Sequence, residues 1–109
     1  MKNFIQVGHV VPVAAPYAVV SGQGALVGAM FGVAGIDAAS GGPLELHVVG
    51  VFELDKAASQ AWTQGANVYW DNAARRCTTV VGSNTLIGKA TAAVPGTAGA
   101  VLGPVRLNG

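Results

Sequence analysis

The chain has 109 residues and a net charge of +1, and only 10% of its residues are charged, against ~25% in an ordinary soluble domain. Six basic residues are scattered, with only Arg75 and Arg76 adjacent, which excludes the concentrated basic footprint of a nucleic-acid binder. The single cysteine, Cys77, excludes an internal disulfide and offers no zinc pattern; it suits a reducing cytoplasm and reads as a small buried apolar side chain.

Between Lys2 and Asp37 there is no Asp, Glu, Lys or Arg. A membrane-spanning helix needs ~20 uninterrupted apolar residues, and Pro12, Pro16, Gly22, Gly24, Gly28 and Gly32 break this run. The same prolines, with Lys2 as the only charge before them, argue against a signal peptide. A charge-poor stretch of this length is therefore expected to be covered by protein, in an assembly. Residues 3–7 read as a first strand, and 10–20 as an extended, proline-kinked segment, because proline cannot donate to a central ladder. Residues 1–20 together are expected to form an N-terminal arm that lies along a neighbouring subunit or a larger partner and adds to a sheet edge. Phe4, Ile5, Val11, Pro12, Val13, Pro16 and Tyr17 are its interface candidates.

Residues 25–34 read as one bent or bulged strand, since Gly28 and Gly32 disfavour a helix, and 40–43 (Ser-Gly-Gly-Pro) as a loop. Over 45–54 the alternation is regular. Glu45, His47, Val49, Val51 and Glu53 share one face, and Leu46, Val48, Gly50, Phe52 and Leu54 share the core face. Asp55 resembles a helix N-cap, and 55–62 is the one expected helix, stopped at Gly65. Strands are expected at 66–70, 78–81, 85–94 and 100–107, joined by turn formers such as Asp71-Asn72, Gly82-Ser83-Asn84 and Pro95-Gly96. Breaks every ~8–12 residues predict an all-β fold, a small antiparallel barrel or sandwich, with 1–109 as one domain.

Candidates for catalysis are sparse. Glu45 and His47 lie two apart on one strand face, and the sequence has no nucleophile elbow, His-Glu-x-x-His or Cys–His cluster. Gly82 to Ala90 superficially resembles a phosphate-binding loop, but five residues separate Gly82 from Gly88 and Ala90 lacks the hydroxyl that would hold magnesium. No catalytic, cofactor-binding or metal-ligating residue is therefore assigned, no cofactor is expected, and the protein is not read as an enzyme. Tyr69 and Trp70 face opposite sides of their strand; Trp70 is expected in the core, and Tyr69 at the rim, where it is a further interface candidate.

The runs Ala15-Pro16, Val20-Ser21-Gly22, Val27-Gly28 and 31–34 (Phe-Gly-Val-Ala), then 50–54 (Gly-Val-Phe-Glu-Leu), 65–71 (Gly-Ala-Asn-Val-Tyr-Trp-Asp), Ile87-Gly88 and 105–107 (Val-Arg-Leu), resemble in order and spacing the capsid cement, or head decoration, family of tailed phages. The resemblance covers nearly the whole chain. It implies a small β-rich structural protein of the virion, made in the bacterial host cytoplasm and added to the outside of the expanded capsid. Its partner is then the major capsid protein, and its own assembly a homo-oligomer, a trimer ahead of a dimer, with no nucleic-acid or membrane partner. Two other readings remain open from the residues: a phage tail or baseplate module, or a ligand-binding β-barrel or enzyme using Glu45, His47 and the Arg75-Arg76 pair.

Overall fold

The computed structural model describes residues 9–108. These form nine strands and, among the described residues, no helix: β1 (Val10–Ala14), β2 (Gly24–Val27), β3 (Met30–Ala34), β4 (Pro43–His47), β5 (Gly50–Asp55), β6 (Asn67–Asp71), β7 (Arg76–Thr78), β8 (Thr85–Ala90) and β9 (Leu102–Leu107). They make two antiparallel sheets, one in the order β1-β4-β3-β2 and one in the order β5-β9-β8-β6-β7. The all-β expectation holds, in sandwich-like form. The five-stranded sheet curls until β5 and β7 approach, but they meet only past the end of β5, where Lys56 and Cys77 form a parallel bridge, so no barrel closes.

Each sheet owns a stretch of chain, and the crossing is at Val48-Val49. The alternation over 45–54 is real, with Leu46 and Leu54 both buried. Yet it spans two strands in two sheets, because Gly50 takes φ +133° and turns the chain from β4 into β5. Leu46 and Val48 thus pack in one cluster, Phe52 and Leu54 in the other. A period of two reports inside and outside, not which sheet is being paired.

The larger cluster fills the curl of the five-stranded sheet with Leu54, Trp62, Val68, Trp70, Ile87, Val105 and Leu107, and takes Phe31 and Val33 from β3. Phe31 and Trp70 pack with ring centroids 4.9 Å apart and planes tilted by 48°, within the range favoured by aromatic pairs. The smaller cluster lies on the other face of the four-stranded sheet, where Ala15, Val19, Ala25, Ala34, Leu44 and Leu46 are buried. Asn108, with φ +57°, ties the two sheets together by donating its side-chain amide to the carbonyls of Phe31 and Val48.

Three expectations are corrected. Residues 25–34 are two strands, not one: Val27 pairs with Met30 across Gly28-Ala29, and Gly28 at φ +60° supplies the two-residue hairpin turn. The helix over 55–62 is absent. Asp55 ends β5, Lys56 bridges to Cys77, Ser59 has φ +56°, and Trp62 bridges to Val94. A run this short cannot hold a helix without tertiary help, and its one large anchor, Trp62, is instead drawn into the core and donates its indole N–H to Gln60 Oε1 at 3.0 Å. Finally, 10–14 of the expected arm is a strand of the protein's own sheet, paired from Val10–His47 to Ala14–Pro43. The strand expected at 3–7 lies outside the described residues.

Candidate functional site: sheet edges, cleft and outer face

The candidate surfaces follow from what each strand leaves unpaired. In the four-stranded sheet, β1 and β2 are the edges. Val48 N–H donates to the His9 carbonyl (3.0 Å) and Ala15 N–H to the Gly42 carbonyl (2.9 Å). Residues 9, 11, 13 and 15 therefore direct their backbone groups at β4, and 10, 12 and 14 direct theirs outward. Pro12, which has no N–H, thus sits on the open side and interrupts any further ladder there.

The β2 edge is blocked differently. Ala34 N–H donates to the Gln23 carbonyl (2.8 Å), so Gly24 and Leu26 face away from β3. The Tyr17 hydroxyl meets both, donating to the Gly24 carbonyl at 3.1 Å and accepting from the Leu26 backbone. The Arg75 guanidinium lies over the Tyr17 ring, 3.5 Å from its centroid, a cation–π contact between the two sheets. Burial pushes the Tyr17 hydroxyl pKa up, against the opposing pull of Arg75. Arg75 reaches this position from a left-handed turn at φ +56°, in a hairpin where Asp71 Oδ1 accepts from the Ala73 and Ala74 amides (3.1 and 3.2 Å).

Among the described residues, the interface candidates do not lie on one patch. Val13 and Tyr17 pack against the smaller cluster; Val11 is half-buried, and Pro12 and Pro16 are exposed. Tyr69 is half-buried on the outward side of the other sheet, opposite Leu86 and Thr78. Phe4 and Ile5 lie outside the described residues. Trp70 is buried, with its indole N–H on Asn72 Oδ1 at 3.0 Å.

The chemistry-bearing residues do not converge. Glu45 is exposed, and His47 packs edge-on against Phe52 (6.5 Å between centroids). Among the described residues, no group of three His, Cys, Asp or Glu side chains is placed to hold a metal, and none forms a helix long and apolar enough to cross a membrane. Residues 82–84 are a turn and Thr85–Ala90 is strand β8, so no helix start follows Gly82 to cradle a phosphate. A cleft of about 500 Å³ lies where the 18–24 loop meets β5 and the β6–β7 hairpin, lined among others by Gln23, Glu53, Asp55, Trp70 and Arg75.

Among the described residues, two titratable groups are buried: Lys56, whose burial nothing in the sequence predicts, and Cys77, which was expected inside. Lys56 is 2% exposed and donates its ammonium to the carbonyls of Ala57 (2.7 Å) and Gln60, so it organises the loop that replaces the expected helix; burial lowers its pKa. Burial, helped by the negative charge of Asp55, pushes the Cys77 thiol up to about 12. Both are structural: one folds a loop and the other fills the core.

Apolar surface remains outside. Among the described residues, Val20, Val51, Val80, Val81 and Leu86 are each more than half exposed, on loops and on the outward face of the five-stranded sheet. No match is found among curated proteins or solved structures. A family model described as phage cement protein matches residues 5–107. That match covers nearly the whole chain, and the chain belongs to the phage cement proteins.

Proposed function

We propose that the protein binds the outside of the expanded phage capsid and stabilises it, as a homo-oligomer for which a trimer is expected ahead of a dimer. The family match over residues 5–107 carries this reading. The physical mechanism is linkage: a protein that binds the assembled lattice and not its dissociated subunits stabilises the lattice, by ~2.7 kcal/mol per site at a free concentration a hundredfold above Kd. Oligomerisation multiplies weak contacts into avidity. The exposed valines and leucines supply apolar area for such contacts, and blunted edges at β1 and β2 direct them to faces and loops. The experiment is co-sedimentation of the purified protein with unexpanded and expanded capsids, followed by thermal disruption of the loaded particles. Saturable binding to expanded capsids, with a raised disruption temperature, is expected. Binding to tails but not to heads would overturn it in favour of a tail module.

A further inference from the structure

The cleft where the two sheets meet holds opposite charges that do not pair with each other. It measures about 500 Å³ and lies where the 18–24 loop, β5 and the β6–β7 hairpin come together, within the size range of ligand sites. Glu53 and Asp55 line it from β5. They are two apart on the strand, so both side chains leave the same face with Cα atoms ~6.5 Å apart, and both are exposed. Arg75 lines it from the hairpin, its guanidinium held over the Tyr17 ring at 3.5 Å. Among the described residues, neither carboxylate takes part in a hydrogen bond or an ion pair, and Arg75 forms no ion pair. Leu102, the register partner of Asp55 and 46% exposed, borders the acids, and the buried Trp70 lines the cleft from inside. A chain with only 10% charged residues thus sets three charges around one cleft and neutralises none of them there.

We propose that this cleft receives a loop of a capsid subunit, which inserts a basic side chain between Glu53 and Asp55 and sets an acidic one against Arg75. The inference rests on the function proposed above and names the site and the partner chemistry. A guanidinium or ammonium placed between two carboxylates ~6.5 Å apart makes charge-assisted hydrogen bonds to both, and its aliphatic stem has Leu102 to lie on. The Tyr17 ring already holds the Arg75 guanidinium in place, so little side-chain freedom is lost when it takes a carboxylate. A second copy of the chain is the poorer occupant. Among the described residues, the loops carry two cations, Lys56 and Arg75; Lys56 is buried on loop carbonyls, and Arg75 is held at the cleft itself. Arg76, Lys89 and Arg106 lie within strands, which cannot enter a concave site as a protruding loop does. A nucleic acid is repelled by the two carboxylates.

The test is co-sedimentation with expanded capsids of the wild type, the double variant Glu53→Gln with Asp55→Asn, the single variant Glu53→Lys, and Glu45→Gln as a control for an exposed carboxylate on the other sheet. Exposed substitutions of this kind leave a fold intact, which circular dichroism establishes for each; Glu53→Lys keeps the test decisive if the double variant does not fold. Both cleft variants are expected to weaken capsid binding at least tenfold, and Glu45→Gln to bind as the wild type does. Wild-type affinity should fall as sodium chloride is raised from 50 to 300 mM, as exposed charge pairing requires. Light scattering without capsids should give one mass for all four proteins. Wild-type-strength binding by a folded cleft variant, an equal loss in Glu45→Gln, or an affinity indifferent to salt overturns the cleft as the docking site while leaving capsid binding intact. A smaller mass for the cleft variants alone would put a second copy in the cleft and overturn the choice of partner. A wild type that does not bind expanded capsids overturns the proposed function and this inference with it.

Discussion

Trp70→Ala tests whether the two sheets share one core. Trp70 is 2% exposed; its ring packs on Phe31 from the opposite sheet at 4.9 Å, and its indole N–H donates to Asn72 at 3.0 Å. Gly24 lies against the same ring so closely that a Cβ there would come within 2.9 Å of Trp70 Cη2. Truncation therefore opens a cavity walled by two different sheets, which cannot collapse without moving one against the other. Such a change costs ~3–5 kcal/mol, a large fraction of the ~5–15 kcal/mol that holds a domain together, and should lower Tm by more than ~12 °C. Trp70→Phe keeps an aromatic ring against Phe31 and loses the hydrogen bond, so it should cost only ~1–2 kcal/mol. The assay is guanidinium unfolding followed by far-ultraviolet circular dichroism. A loss below ~1 kcal/mol for the alanine variant would show that the sheets do not depend on this contact. Equal losses for alanine and phenylalanine would show that the hydrogen bond, not burial, carries it.

Tyr17→Phe removes the hydroxyl that closes the β2 edge while keeping the ring beneath Arg75; a loss of ~1–3 kcal/mol and concentration-dependent association in light scattering are expected, and a monodisperse, equally stable variant would refute the edge-blocking role. Lys56→Met keeps the buried stem but leaves the Ala57 and Gln60 carbonyls without the ammonium, so the 56–62 loop should exchange its amides faster, measured by hydrogen exchange, with the rest of the protein unchanged. For Cys77 the sign follows from its raised folded pKa, about 12 against 9.0: below pH 9 the neutral thiol's contribution is fully present, and between pH 9 and 12 the unfolded chain ionises first and stability falls. The stability difference between wild type and Cys77→Ala should therefore shrink with rising pH across that window, and a pH-independent difference would show that the thiol is not held neutral by burial.

What could be read from residues alone was local inside–outside patterning. Leu46, Leu54 and Trp70 were placed inside by alternation, and each is buried. Punctuation was read less well. Gly28 reads as a bulge because the apolar run continues on both sides of it, whereas a two-residue turn needs only one residue with positive φ. The 56–62 segment has helix-forming alanines, and what overrides them is non-local: Cys77 and Val94 pair with its two ends. Lys56 was invisible for a related reason, since a lysine after a strand reads as surface until the loop that folds over it is known.

The edges have a consequence for how such a protein reaches a lattice. A β-sandwich released in many copies is exposed to strand-to-strand addition between copies, and each unprotected edge is a template for it. Here β1 carries Pro12 on its open side, β2 is capped by Tyr17, and β5 and β7 are tied at Lys56–Cys77. Those devices act on backbone groups and leave side-chain surface free. Polymerisation through open sheet edges needs no particular partner, whereas docking through a face needs one whose charges and shape match. Blocking the first while leaving the second open is what allows apolar side chains such as Val51 and Leu86 to remain exposed in a chain with so little charge to keep it in solution. If Tyr17 and Pro12 serve that end, their loss should be felt first as association between free copies and only afterwards as weakened attachment to the capsid.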